Sequence, residues 1–249
     1  MKKTIITVLL ATTGVAMGAA DLGNGITGDW TIYNKADKIA TDAASITFQS
    51  DWGGPTAWIT LDSAISLTQD QTLTFSYTYS STTTNGIYGI SFQGDGGASA
   101  FMIGNTDYVN RDLAAAFTTL GTTGFYQSKA QNIRFNAGNS SDRIQTVTGG
   151  ASLGTVSPGL VEASIAFDST AAAFIMTLEC GEQSNTLNLG STVAFDTISF
   201  SADGDISQAF TGLSMNITTA STSAVPEPTT ATLSLLALVG LAARRRRRK

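Results

Sequence analysis

Histidine is absent from this 249-residue chain, which removes the usual general base of Ser-His-Asp and Cys-His mechanisms and the commonest zinc ligand. Cysteine occurs once, at Cys180. No internal disulfide can form, and no Cys/His cluster exists to hold a structural zinc. Proline is limited to four residues and charged side chains to 13% of the sequence. Basic residues are scarcer still in the middle. Of the 14 Lys and Arg, two are Lys2 and Lys3 and six close the chain from Arg244 to Lys249, whereas only Glu227 of the 19 acids lies in the tail. The stretch between the ends therefore carries six basic and 18 acidic residues, a net charge near −12 against −5 for the whole chain. So acidic a surface repels phosphate backbones, and nucleic acid is excluded as an expected partner.

The ends are built differently. Lys2 and Lys3 precede an apolar run from Ile5 to Ala11, followed by the small residues Ala16, Gly18, Ala19 and Ala20. That is the three-part layout of a secretory signal peptide. Residues 1–20 are the expected leader, cut by signal peptidase between Gly18 and Asp21. An uncut membrane anchor is disfavoured because the run falls short of the roughly 20 residues a span needs.

At the other terminus, Val225-Pro226-Glu227-Pro228 precedes an apolar run from about Ala231 to Ala243, then Arg244, Arg245, Arg246, Arg247, Arg248 and Lys249. Two prolines keep that run from extending an upstream helix, so a short hydrophobic helix is predicted over 229–243. Arginine stems snorkel and stretch its effective length. A polybasic flank also stays cytoplasmic, which leaves the body outside. A transient span of the inner membrane is expected; a tail lying in the interface is the alternative.

In this order, motif, apolar helix and arginine cluster resemble the PEP-CTERM sorting domain of Gram-negative bacteria over about Val225–Lys249. The resemblance implies that an exosortase, a membrane-embedded cysteine protease, recognises Pro226, Glu227 and Pro228 and cuts near them. The mature protein would then keep no span, and its body would pass to the cell surface or the medium. The domain organisation is thus a leader (1–20), a body (21–220) and a sorting tail (221–249).

The body of about 200 residues suits one large all-β domain. Leu73, Phe75, Tyr77 and Tyr79 alternate with Thr72, Thr74, Ser76 and Thr78, as a strand with one face in a core does. Tyr88, Ile90 and Phe92 follow a polar turn ending in Asn85-Gly86, which predicts a hairpin. A second hairpin is predicted from Val161, Ala163, Ile165 and Phe167, through Asp168-Ser169-Thr170, to Phe174, Met176, Leu178 and Cys180. Cys180 on that strand is expected to be a small buried hydrophobe. Shorter strands are predicted at 46–49, 57–61, 101–104, 132–136, 194–200 and 212–218, and a helical turn or two at Arg111–Thr118.

So many short strands predict an antiparallel two-sheet sandwich. From Ile46 to Thr218 the strand rhythm resembles a concanavalin A-like lectin or laminin-G-type jelly roll. That fold implies a concave sheet that often meets carbohydrate, but a fold alone does not license a function.

Catalytic chemistry has few candidates. The retaining glucanases among those relatives carry Glu-x-Asp-x-x-Glu on one strand, and no such run occurs. The body's only glutamates are Glu162, Glu179 and Glu182, which are not expected to share an active face. A non-enzymatic protein is therefore expected. No cofactor is required, though Asp95, in Gly94-Asp95-Gly96-Gly97, and Asp203 and Asp205, in Asp203-Gly204-Asp205, are candidate calcium ligands. Trp52, Tyr108 and Tyr126 lie between predicted strands, where flat rings stack on sugar faces; Trp52 beside glycines also reads as a lid over a sandwich end. The expected function is a surface or extracellular matrix protein associated with exopolysaccharide or envelope. The alternatives are a carbohydrate-binding module, with or without calcium, and a glycosidase.

Overall fold

The computed structural model describes residues 15–49, 55–81, 86–94, 99–105, 112–118, 147–155, 159–204 and 207–220. These hold β1 (Val15–Asp21), β2 (Thr27–Asn34), β3 (Ile39–Asp42), β4 (Ser45–Phe48), β5 (Thr56–Ser66), β6 (Gln71–Ser81), β7 (Gly86–Gln93) and β8 (Ser99–Asn105). They continue through β9 (Asp112–Thr118), β10 (Val147–Thr155), β11 (Leu160–Asp168), β12 (Ala173–Cys180), β13 (Gln183–Gly190), β14 (Ala194–Gly204) and β15 (Gln208–Thr219). The one described helix is a 3₁₀ turn at Ala36–Lys38. An eight-stranded sheet runs β1-β2-β5-β14-β7-β8-β9-β10 and a seven-stranded sheet β13-β12-β11-β6-β15-β4-β3. The fold is an all-β antiparallel sandwich, as the alternation predicts. Two compact units divide the chain at Thr218 and Thr219, and all but the end of β15 falls in the first.

The two predicted hairpins part company. β11 and β12 pair throughout, from Val161 opposite Cys180 to Asp168 opposite Ala173. Their turn is held by Asp168, whose Oδ1 accepts the N–H groups of Thr170 at 2.7 Å and Ala171 at 3.2 Å. By contrast β6 and β7 lie in different sheets, so the hairpin expected there is corrected. β6 pairs with β11, and β7 with β14 and β8. The reason is packing. In a hairpin the rings of both strands would share one face of one sheet, whereas here they meet across the interior, with Phe75 and Phe92 edge-to-face at 4.9 Å. That placement shields both aromatic faces at once.

Two other expectations change. The stretch predicted as helical turns is β9, because ladders to β8 on one side and β10 on the other satisfy its backbone and outweigh the helix propensity of three consecutive alanines. The strand predicted at 132–136 lies outside the described residues. β1, meanwhile, straddles the expected boundary between leader and body. Its register with β2 shifts between Ala16 and Ala19, where Gly18 takes φ +117°. Beyond that kink Ala20 and Leu22 are fully buried.

Phe210 is the hub of the core, in contact with Phe48, Tyr77, Tyr79, Tyr88 and Phe200. Polar tips within it are paired: the Tyr77 and Tyr88 hydroxyls lie 3.2 Å apart, and Tyr79 donates to Gln208 Oε1 at 3.1 Å. Burial holds the Tyr77 phenol far above its ordinary pKa. Cys180 is buried as expected, and burial pushes its thiol upward, away from reactivity.

Candidate functional site

The candidate residues scatter. Asp203 lies on β14 opposite Ile87, while Gln93, the last residue of β7, pairs at Thr197. The connections that carry Asp205 and Asp95 therefore leave opposite ends of β7, roughly 25 Å apart for a strand of eight residues. Among the described residues no group of three metal-ligating side chains occurs. Asp95, Asp205, Trp52, Tyr108 and Tyr126 themselves lie outside the described residues. The strand ends that bracket Trp52 and Tyr108 share the Asp203 end of the sandwich; those that bracket Tyr126 are at the other.

Glu162 and Glu179 stand directly opposite each other on β11 and β12. Against the expectation that the glutamates share no active face, the predicted hairpin brings these two together. Both are exposed, in a row that runs Ser76, Glu162, Glu179, Ser184 across the outer face of the seven-stranded sheet. That face is an open surface, not a cleft.

The outer face of the eight-stranded sheet is different. One row in register runs Thr31, Trp58, Ser199, Ser91, Met102, Ala116, Gly150. The next runs Asn34, Thr56, Ser201, Gly89, Gly104, Ala114, Ser152. These positions alternate with the core positions Ile59, Ile198 and Phe92, so they belong to the side turned away from the other sheet. Yet Ser91 and Met102 are 0% exposed, Thr56 and Ser201 1%, Ser199 3% and Gln93 4%. Several of their polar groups bond one another or nearby backbone. Ser201 donates to the Pro55 carbonyl at 3.4 Å, its Oγ lies 3.1 Å from Thr56 Oγ1, and Gln93 Nε2 donates to Ser91 Oγ at 3.5 Å.

This layer of hydroxyls and a carboxamide is withdrawn from solvent, with Thr56, Ser201, Ser91 and Gln93 bonded within the protein, while the indole of Trp58 beside it is partly buried. It offers little for bond cleavage. With no histidine in the chain, its serine hydroxyls have no imidazole to activate them. Sequence reasoning missed this face because Ser91, Gln93, Ser199 and Ser201 follow the same polar alternation as any solvated strand. Burial, which alone distinguishes them, is a tertiary property.

Residues 224–249 match the family model of the PEP-CTERM protein-sorting motif. The chain carries a PEP-CTERM sorting signal. Such a motif indicates export and a cell-surface or extracellular location. The motif residues Pro226, Glu227 and Pro228 and the basic end from Arg244 to Lys249 lie outside the described residues, as does the predicted apolar helix. Among the described residues no helix is long and apolar enough to cross a membrane.

No curated protein sequence matches the chain. Among solved structures, the Emp47p carbohydrate recognition domain is similar at 10% identity and TM-score 0.45, over 76% of this chain and 88% of that one. The legume lectin-like domain from Entamoeba histolytica is similar at 8% and 0.43, over 73% and 86%. An alginate lyase from Alteromonas sp. 272 is similar at 8% and 0.39, over 76% and 94%. These likenesses concern the sandwich architecture alone.

Proposed function

We propose that this PEP-CTERM protein is a non-enzymatic component of the cell surface or extracellular matrix, whose sandwich body remains in contact with exopolysaccharide or envelope after its ends are removed. The observation that carries this reading is the sorting motif at 224–249. Signal peptidase would act at the leader, exosortase near Pro226-Glu227-Pro228, and the inner membrane would hold the tail only in between. The lack of histidine and the open setting of Glu162 and Glu179 support a non-enzymatic body, since glycosidases set two carboxylates across a cleft. Intact-mass spectrometry of the protein from its native host tests the sorting step. The expected chain has lost its leader and its basic end; a chain still ending in Lys249 overturns the reading.

A second reading, a carbohydrate-binding module, is favoured by Trp58, a partly buried flat ring on the outer face of the eight-stranded sheet, of the kind that stacks on sugar faces. Calcium is its candidate cofactor, with Asp95, Asp203 and Asp205 as the candidate ligands. Glycan-array binding with and without a chelator tests it: a signal lost in Trp58→Ala supports it, and no sugar bound under either condition overturns it.

A further inference from the structure

A signal peptidase takes small side chains at the first and third positions before its cut, and the end of the leader contains two such frames. Ala16-Met17-Gly18 places the cut before Ala19, and Gly18-Ala19-Ala20 places it before Asp21. By residue type the two are alike. In the fold they are not. Upstream of Ala19, β1 is irregular: Gly18 takes φ +117°, the register with β2 shifts between Ala16 and Ala19, and Met17 is 45% exposed. From Ala19 onward the chain is built into the sandwich. Ala19, Ala20 and Asp21 pair in unbroken register with Asp29, Gly28 and Thr27. Ala20 is fully buried, and the Asp21 N–H donates to the Ala43 carbonyl at 2.7 Å.

We infer that the leader is cut at the Gly18–Ala19 bond, and that the α-ammonium group created there is received by Asp29 on β2. Both steps presuppose the leader removal proposed above. Water supplies the chemical balance: its oxygen becomes part of the Gly18 carboxylate, and the Ala19 nitrogen leaves as an amine that takes up a proton. The other frame would strip away Ala20, and with it a buried methyl group and two rungs of the ladder, a loss that the first frame avoids.

Geometry and charge place the new end beside Asp29. Because the Asp21 N–H points away from β2, that of Ala19, two residues earlier on the strand, does so too. Ala19 and Asp29 are then a non-hydrogen-bonded pair, with Cα atoms about 4.5 Å apart. Both are exposed. The other carboxylates around β1 are engaged with backbone: Asp21 accepts the Gly23 N–H at 2.9 Å, and Asp42 on β3 accepts the Ala44 N–H at 3.0 Å. Among the described strands none carries Lys or Arg. In a body near −12, an ammonium set among these carboxylates relieves repulsion.

Mass spectrometry of the amino-terminal peptide, on protein purified from its native host, reads the bond directly. The expected mature chain begins Ala19-Ala20-Asp21. A processed chain that begins at Ala20 or Asp21 overturns the inference and leaves the sorting reading untouched; a chain that keeps Met1 overturns it together with the leader. Asp29→Asn, matured in the same host, tests the pairing. The pair raises the pKa of the ammonium in the folded state, so its stabilisation is complete below the ordinary value and is lost above it. At about pH 6 and low ionic strength, urea melts are expected to show a folding equilibrium constant lowered about two- to five-fold, the worth of an exposed ion pair. At about pH 10 the α-amino group, ordinarily of pKa about 7.7–8.0, has lost its proton, and the difference from wild type is expected to vanish. A loss equal at both pH values, or no loss at either, overturns the pairing.

Discussion

Ser91 and Thr74 hold equivalent places, each on a central strand and on the side of its sheet turned away from the interior, yet Ser91 is 0% exposed and Thr74 is open to solvent. Around Ser91 the rows contain Gly89, Gly104, Ala114 and Ala116. Around Thr74 they contain Ser164, Thr177, Glu162 and Glu179. One outer face is buried and neutral around Ser91, the other broad, hydroxylated and acidic. Alternation thus says which residues leave the core and nothing about what they then meet.

The sharpest way to break this comparison is to place the same charge on both faces. Ser91→Lys buries an ammonium group without a prepared partner and is expected to cost about 3 kcal/mol or more, enough to abolish cooperative unfolding in a marginal domain. Thr74→Lys should stay within about 0.5 kcal/mol. Paired urea melts decide; equal losses would mean that the faces do not differ.

Smaller in effect, Gly104→Ala probes how tightly β7 and β8 are drawn together on the buried face. A Cβ there would run into the Tyr88 carbonyl oxygen and come within 2.9 Å of Gly89 Cα. Backbone cannot swing aside as a side chain can, so a loss of about 1–3 kcal/mol is expected. A thermal melt unchanged from wild type would show that β7 and β8 adjust freely.

The smallest effect lies on the open face and has the opposite sign. Glu162 and Glu179 are like charges directly across a ladder, and Glu179→Lys turns that repulsion into attraction. A gain of about 0.2–1 kcal/mol is expected at low ionic strength, fading as salt rises. A destabilised variant would show that the pair contributes something other than repulsion.

Much of the fold was legible because a period of two in hydrophobicity is written locally. β6, β11, β12 and the centre of β14 are found wherever Phe, Tyr, Leu or Ile alternates with Ser or Thr. The β11–β12 hairpin was legible too, since Asp168 provides its own turn bonds within three residues. The crossing from β6 to β7 was not, because the Asn-Gly signal looks the same whether the chain returns beside itself or passes to the other sheet. β13 escaped notice for a related reason. It buries only Leu187 and Leu189 among polar neighbours, as an edge strand must, and so lacks the repeated apolar signature.

The candidate site was less legible than the fold. Trp58 was read simply as part of a strand, and Glu162 and Glu179 were not expected to share a face although the predicted β11–β12 hairpin already sets them opposite each other. The sequence by itself determined the sorting address and the exclusion of histidine-dependent chemistry, since both follow from residue identity and order along the chain. Tertiary structure alone decided which aromatic rings meet and which serines are withdrawn from water. Burial and pairing are relations between distant segments, and their free energy exists only once those segments touch.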